Sequence, residues 1–146
     1  MAQRYQLTGK LRFYNWLIKA LLRCGWAPRN VYLLTVRGRK TGKPYATPVT
    51  LVEKDQVRGL VAPYGEVAWV RNARAAGEVT LSRGGHSEAA QIGPASREES
   101  AAVLKIYIGK IAIVRPYFDV SPDSPLEEFV AEAPRHPVFR LQNVWW

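Results

Sequence analysis

The chain has 146 residues, 47% of them hydrophobic, so it is long enough for one globular domain with its own core. Its 21 lysines and arginines outnumber its 12 acidic residues, and the resulting net charge of +9 favours an anionic ligand or partner. The single cysteine, Cys24, excludes an intramolecular disulfide, and two isolated histidines argue against a metal site. We therefore expect a cytoplasmic protein without a structural metal.

An apolar segment, LRFYNWLIKALLRCGW, occupies residues 11–26. Read as a helix, it gathers its polar side chains within roughly 80° of one another and leaves the rest of its surface apolar. These side chains are Arg12, Asn15, Lys19 and Arg23. The segment has no signal-peptide pattern and is too short and too charged to span a bilayer. It is expected either to pack on two sides or to lie in a membrane interface.

Three segments after residue 30 have the composition of strands: VYLLTVRG, YATPVTLVE and VRGLVAP, joined by RKTGK and KDQ. Pro48, inside the second of them, cannot donate to a ladder and therefore predicts an edge or a bulge. Further along, EVTLSRG and HSEAAQIG form a predicted hairpin around Gly84 and Gly85, and HPVFRLQNVWW is a predicted final strand. The chain thus contains about six predicted strands.

Three helices are predicted between these strands. GEVAWVRNARAAG ends at Gly77, which suits a C-terminal cap. SREESAAVLKIYIGK opens with Ser96 followed three residues later by glutamate, the pattern of a capping box. SPLEEFVAEA opens with Ser124 and Pro125, which predicts a second capping box with proline at the first helical position. Short antiparallel strands with interspersed helices indicate an α+β barrel.

The hairpin between the first two predicted strands carries four cations in seven residues. They are Arg37, Arg39, Lys40 and Lys43, with Gly38 and Gly42 between them. The hairpin is either a solvated turn or a cradle for an anion. It is not a P-loop, because its spacing differs and it joins two strands. The chain also lacks a dinucleotide fingerprint and a nucleophile motif, so any catalysis is expected to belong to a bound cofactor.

A second feature follows the third predicted strand. In GLVAPYGEVAW the chain turns through Pro63 and Gly65 into a helix, whose free N–H groups suit a phosphate or a ring edge. Trp69 and Asn72 lie three residues apart and share a face of this helix. An apolar ring beside an amide suits a planar heterocycle. The alternative is that Trp69 belongs to the core and Asn72 is a surface or capping residue.

Together these features resemble the deazaflavin (coenzyme F-420)-dependent nitroreductase family, whose members carry the cofactor on a split β-barrel. The family motif G-R-K-[ST]-G-x-x-R-x-x-P is similar to residues 38–42 and Pro48, and W-x-x-N-L-x-A-N-P is similar to Trp69, Asn72 and Ala75. The resemblance implies an α+β fold: a split β-barrel (FMN-binding-like) with an N-terminal helix and inserted helices. Residues 1–29 would form an apolar helix or lid, and residues 30–146 the cofactor-binding barrel.

The resemblance also implies a site for coenzyme F-420. Its phosphate and polyglutamate tail would meet the cationic hairpin, and its ring would lie beside the second motif. The implied cofactor-binding residues are Arg37, Gly38, Arg39, Lys40, Thr41, Gly42, Lys43, Pro48, Ala62, Pro63, Tyr64, Gly65, Ala68, Trp69 and Asn72. The protein would orient the cofactor for hydride transfer to an electron-poor small molecule such as a quinone or a nitro compound. Family enzymes place a tyrosine from the C-terminal half over the cofactor, for which Tyr107 and Tyr117 are the candidates.

The chain departs from the family pattern at several positions. Tyr45 stands where the family has arginine, residues 73–77 replace L-x-A-N-P, and the loop before Trp69 is short. Related branches bind flavins or apolar molecules, so two alternatives stay open: a flavin-binding relative with FMN, or a binding protein without cofactor or turnover that holds an apolar anion such as a fatty acid. Nucleic acid is not an expected partner, since it would require one continuous basic patch.

In similar proteins a mobile N-terminal segment covers the active site and can touch the membrane, where quinones would be substrates. Phe13, Trp16 and Leu17 are the implied lid residues. The resemblance therefore implies peripheral contact with the inner face of the plasma membrane. Monomer and dimer both stay open.

Overall fold

The structure is a computed structural model in which residues 16–17, 30–54 and 57–143 are described. The predicted N-terminal helix therefore lies outside the described residues, Phe13 included, apart from Trp16 and Leu17. These two residues are helical and exposed. The domain boundary between residues 29 and 30 stays a prediction.

Six strands form a closed antiparallel barrel, in the order β1-β2-β3-β6-β5-β4. The strands are β1 (Val31–Arg37), β2 (Pro44–Lys54), β3 (Val57–Val61), β4 (Glu78–Arg83), β5 (His86–Pro94) and β6 (Val138–Asn143). Helix α1 (Ala68–Ala76) follows β3, and α2 (Arg97–Lys110) and α3 (Leu126–Glu132) lie between β5 and β6 with short 3₁₀ turns at Ala112–Tyr117 and Ala133–Arg135. This architecture confirms the predicted α+β barrel.

The barrel interior is filled by alternate residues of the strands, as the twofold side-chain period of a strand requires. Leu34 of β1, Leu60 of β3 and Leu81 of β4 are at most 1% exposed. Helix α1 contacts β1 and β4 and adds its fully buried Val70 and Ala73 to the same cluster. Packing on the barrel core therefore fixes α1 beside the strand that runs into the cationic hairpin.

A second apolar cluster lies where α2 and α3 cover β2, β3 and β6. Phe129 of α3 and Leu104 of α2 are fully buried there against Val138 and other strand residues. A Cβ atom at Gly59 of β3 would lie 3.2 Å from a Val103 methyl, so glycine permits α2 to approach the sheet closely. These helices consolidate a different part of the barrel from the part that α1 touches.

Two predictions about helix ends are confirmed and one is wrong. Gly77 ends α1 with φ 73°, and Ser96 opens α2 with a complete capping box. Ser124 does not cap α3: the capping position is Pro125, which has no side-chain hydrogen bond. The Ser124 hydroxyl accepts instead from the Ser121 N–H at 2.9 Å, because it lies one residue too early and faces the preceding turn.

The prediction of an edge at Pro48 is also confirmed. Pro48 lies opposite Leu33 of β1, whereas β2 pairs with β3 only between Leu51 and Lys54. Among the described strands, the first half of β2 therefore has a partner on one side only, which is where a residue without an N–H is tolerated.

The capping box of α2 predicts a pH-dependent contribution to stability. The Ser96 backbone N–H donates to the Glu99 carboxylate at 3.0 Å, which lowers the pKa of Glu99 from its ordinary value of 4.5. A lowered folded-state pKa contributes stability above the unfolded pKa, and the contribution is lost as pH falls through the folded pKa. We expect Glu99→Gln to lower the thermal midpoint at neutral pH, and the difference from wild type to shrink below pH 4.5.

Glu98→Gln is the matched control, since it removes a carboxylate from the same helix turn. Thermal unfolding of the three proteins across a pH series measures both effects. Equal losses for the two variants at every pH would contradict a specific role for the charge of the Glu99 carboxylate.

Candidate active site

The tip of the β1–β2 hairpin is closed by its own backbone. The Gly38 N–H donates to the Lys43 carbonyl at 2.8 Å, and the Gly42 N–H donates to the Gly38 carbonyl at 2.9 Å. Gly42 has φ +72°, a conformation that suits glycine. Gly38 is required for another reason: a Cβ there would lie 2.6 Å from Cε2 of Tyr45. The first glycine of the predicted cradle therefore makes room for a neighbouring ring.

Asn72 attaches this tip to α1. Its side-chain oxygen accepts from the Arg39 backbone N–H at 3.1 Å and from Arg39 Nη1 at 2.7 Å. Asn72 is 6% exposed, so it is neither a surface residue nor a helix cap. A buried amide oxygen with two donors from one residue fixes both the position of the tip and the direction of the Arg39 side chain.

A pocket of about 390 Å³ lies between the tip and α1. It is lined by Gly38, Arg39, Lys40, Thr41, Tyr45, Ala68, Trp69 and Asn72. The structure thus brings together the two sequence motifs that were assigned to one site. Trp69 also packs on the barrel core through Phe139, at 6.4 Å between ring centroids, so its ring has a fixed place in the wall.

Tyr45 is the lining residue that sequence reasoning missed, because it entered only as a departure from the family pattern. Its hydroxyl lies 3.3 Å from the Thr41 hydroxyl, and its side chain is 49% exposed. The sequence did contain a signal for its orientation. Side chains alternate along a strand, and Tyr45 lies an even number of residues from the inward-facing Val49 and Leu51, so it projects to the same face of β2.

The other predicted cofactor-binding residues lie apart from this pocket. Pro48 is half-buried within β2, and the Arg37 side chain lines a separate pocket with Pro44 and Glu78. Gly42 and Lys43 belong to the exposed tip but not to the pocket lining. Contact of these residues with a cofactor stays a prediction.

The turn from residue 62 to 65 is held by the segment that precedes β6. Ala62 is buried in the barrel core, and Tyr64 meets Tyr117 edge to face at 4.9 Å between ring centroids. A Cβ at Gly65 would lie 3.3 Å from the Arg135 carbonyl, and Gly65 has φ +86°. None of residues 62–65 lines the pocket, although the turn leads directly into α1.

A buried histidine holds this turn in place, and the sequence analysis did not predict this histidine as part of the site. His136 is 3% exposed, and its Nδ1 lies 2.7 Å from the Pro63 carbonyl. Its Nε2 lies 2.7 Å from Oε2 of buried Glu132, and its ring stacks on Phe118 at 3.7 Å. His136 and Pro63 lie 73 positions apart in the chain, so no local sequence pattern predicts their contact.

Neither candidate tyrosine lies in the pocket. Tyr107 is 4% exposed within the cluster formed by α2 and α3, and Tyr117 packs on Tyr64. A side chain buried in that cluster does not reach the pocket in this conformation, so the structure does not support Tyr107 as a group above a cofactor. Of the predicted lid residues, the structure describes Trp16 and Leu17, and both are exposed. Their role as a lid stays a prediction.

Two further properties concern the described part of the chain. It contains no group of three or more His, Cys, Asp or Glu side chains placed to hold a metal ion. It also contains no helix that is long and apolar enough to cross a membrane.

Comparisons with known proteins concern the family and the fold of the chain. A protein-family model described as F420H(2)-dependent quinone reductase matches residues 22–116. Among solved structures, the chain is similar to the F420-H2 dependent reductase FDR-A, with 22% identity, 78% of this chain and 95% of that chain covered, and a TM-score of 0.53. It is also similar to a protein described as a domain-swapped dimer, with 18% identity, 92% and 100% coverage, and a TM-score of 0.56.

A third similar structure is HutZ, the heme storage protein from Vibrio cholerae, with 12% identity, 81% of this chain and 84% of that chain covered, and a TM-score of 0.55. At such identities these structures show the fold alone, and they confirm the split β-barrel. A comparison with curated proteins gives no match.

The tip attachment predicts a measurable loss of stability. Asn72→Ala removes the oxygen that accepts two hydrogen bonds from Arg39, and each such bond contributes about 0.5–1.5 kcal/mol net. Chemical denaturation should show this loss, and Asn72→Asp, which keeps an acceptor, should lose less. Arg71→Ala on the exposed face of α1 is the control. If Asn72→Ala is as stable as Arg71→Ala, the attachment does not hold the tip.

The contacts of His136 with Pro63 and Glu132 predict a second loss of stability. His136→Ala leaves the Pro63 carbonyl and the Glu132 carboxylate without their shared partner, and we expect the free energy of unfolding to fall by about 1–3 kcal/mol. His86, exposed at the start of β5, provides the matched control His86→Ala. Equal denaturation midpoints for the two variants would refute a structural role for His136.

Proposed function

Since the chain belongs to the F420H(2)-dependent quinone reductase family, we propose that it transfers a hydride from reduced coenzyme F420 to an electron-poor acceptor, a quinone or a nitro compound. The family makes the chain a reductase that uses coenzyme F420, as the two sequence motifs implied. The acceptor and the residues that hold the cofactor are the proposed part. The supporting observation is that both motifs line one pocket between the hairpin tip and α1.

The chemistry of the pocket fits a planar ring attached to an anionic chain. Trp69 and Tyr45 supply aromatic surface, and Lys40 and Arg39 supply positive charge at the tip. Lys40 has no acidic partner among the described residues, so its ammonium is available to an anion. Arg39 is held through one nitrogen by Asn72, which leaves the other guanidinium N–H groups to donate elsewhere.

The start of α1 offers additional donors. Within the described residues no side chain caps this helix, and its first turn carries no acidic residue. Ala68 and Trp69, the first two residues of α1, both line the pocket. Backbone N–H groups at a helix start favour negative charge, so they suit a carbonyl or phosphate oxygen of the ligand.

These residues would hold the cofactor in two parts, with the ring against Trp69, Ala68 and Tyr45 and the anionic chain against Lys40 and Arg39. When bound, coenzyme F420 supplies the hydride. The protein contributes orientation of the ring, exclusion of water from one side of it and neutralisation of the chain. A quinone acceptor would suit the apolar N-terminal helix, whose membrane contact and lid function stay predictions.

A binding protein without turnover is the second candidate function. Tyr45 favours it, because this position provides an exposed ring where the motif of the family carries a cation. Such a protein would retain an apolar anion without hydride transfer.

The two candidates are separated by binding and turnover measured on the same protein. A titration followed by coenzyme F420 fluorescence should saturate, and Lys40→Ala should weaken binding by about 1–3 kcal/mol through loss of a charged hydrogen bond. Thermal stability should not change, since Lys40 is exposed on a loop, and Lys110→Ala at the exposed end of α2 is the control.

Turnover is then measured as oxidation of reduced coenzyme F420 by a water-soluble quinone and, separately, by a nitroaromatic compound. Acceptor-dependent oxidation supports the reductase. Saturable binding with neither acceptor reduced would favour the binding protein, and absence of binding would reject the proposed site.

A further inference from the structure

The aromatic ring of Tyr45 occupies a defined place at the end of the barrel. Its strand partner is Val36 of β1, and directly opposed residues of an antiparallel pair project to the same face. Val36 is 3% exposed and belongs to the inner core, so Tyr45 continues the inward-facing row of β2. Yet Tyr45 is 49% exposed. Its ring therefore extends the apolar interior beyond the point where the barrel is filled.

Local contacts fix this ring against the hairpin tip. Its Cε2 atom lies where a side chain at position 38 would begin, so the ring rests directly on Gly38. Its hydroxyl is 3.3 Å from Thr41 Oγ1, which in turn accepts from the Lys43 N–H at 3.2 Å. The ring is thereby held in the pocket wall, and its polar end points to the exposed tip.

We propose that Tyr45 determines the ligand specificity of this pocket by adding a second aromatic wall beside Trp69. The pocket then accepts a flat ring between its aromatic walls, and Lys40 meets the anionic part of the ligand at the cationic edge of the pocket. This inference rests on the proposed function, since it assigns the ring of the cofactor rather than its phosphate to the space beside Tyr45. Aromatic walls favour stacked or edge-on rings, whereas they offer a phosphate no charge.

The division of roles predicts different responses to two probes. One probe is coenzyme F420, and the other is the same deazaflavin with its ribityl side chain but without phosphate and glutamates. Tyr45→Ala should weaken binding of both probes by about tenfold or more, because each loses the same ring contact. Tyr45→Phe should retain both affinities. Lys40→Ala should weaken binding of coenzyme F420 and leave the phosphate-free probe unchanged.

Tyr45→Arg gives the opposite test, since it replaces the aromatic ring by a cation. This variant should lose affinity for the phosphate-free probe and should retain more of its affinity for coenzyme F420. If Tyr45→Ala and Tyr45→Phe bind both probes as tightly as wild type does, Tyr45 does not determine specificity. If Tyr45→Arg improves binding of coenzyme F420, the pocket receives the phosphate and the proposal is overturned.

Failure of the proposed function is distinguished with a probe that is not a deazaflavin. The flat aromatic anion 8-anilinonaphthalene-1-sulfonate is titrated against wild type, Tyr45→Ala and Leu126→Ala, the last removing an exposed apolar side chain from α3. A fluorescence gain that is lost only in Tyr45→Ala supports the aromatic wall even if no deazaflavin binds. Equal signals in all three proteins, or none in wild type, would overturn it.

Discussion

One buried amide oxygen determines the geometry of the site. Asn72 receives the backbone and the side chain of Arg39, and the two residues lie 33 positions apart. Among the described residues, this contact is the hydrogen-bonded link between the hairpin tip and α1, while β1 and β2 join the tip to the barrel. The pocket has one wall from the tip and the other from α1, so its width depends on the attachment. Because Asn72 is buried, breaking this contact would leave its side-chain amide without a partner, which costs free energy of folding.

The cations of the hairpin divide into separate roles. Arg39 is anchored through Asn72, Lys40 lies at the pocket with no acidic partner in the described chain, and Arg37 lines a different pocket beside Glu78. A hairpin that was only a solvated turn would not need an arginine tied to a buried amide. The cation count overstated the charge available to one ligand, since only part of it reaches the pocket. The pocket therefore combines a small cationic edge with a larger aromatic surface.

The elements of the fold were predictable because strands and helix caps are encoded by neighbouring residues. The composition of VYLLTVRG and the Ser96–Glu99 spacing are local signals, and both elements formed as expected. The meeting of the two motifs was predictable only through the resemblance, since it joins α1 to a distant hairpin. His136 and Pro63 lie farther apart still, and no periodicity reports their contact. Ser124 shows that a local signal can miss the helix start by one residue, since its hydroxyl accepts from the Ser121 N–H rather than from the helix.

The position of Tyr107 could not be predicted from its neighbours in the sequence. Its pattern is compatible with either an active site or a core, and in the structure it is buried in the cluster that contains Phe129 of α3.

Helix α1 is restrained by the turn before it and by the contacts of its own residues, so a short helix holds a defined position beside the pocket. Before it, the turn at residues 62–65 is held through the Pro63 carbonyl by His136, itself fixed by Glu132 and the Phe118 ring. Within it, Val70 and Ala73 are locked into the barrel core while Asn72 holds the tip. The Trp69 ring therefore has little freedom to adjust to a ligand, and a flat ring would bind to a wall that is already in place. A preformed wall reduces the entropy lost on binding, so affinity can come from a modest contact area. Since Asn72 holds the backbone of the tip, the side chains at the tip that stay free to adjust are the exposed Lys40 and Lys43.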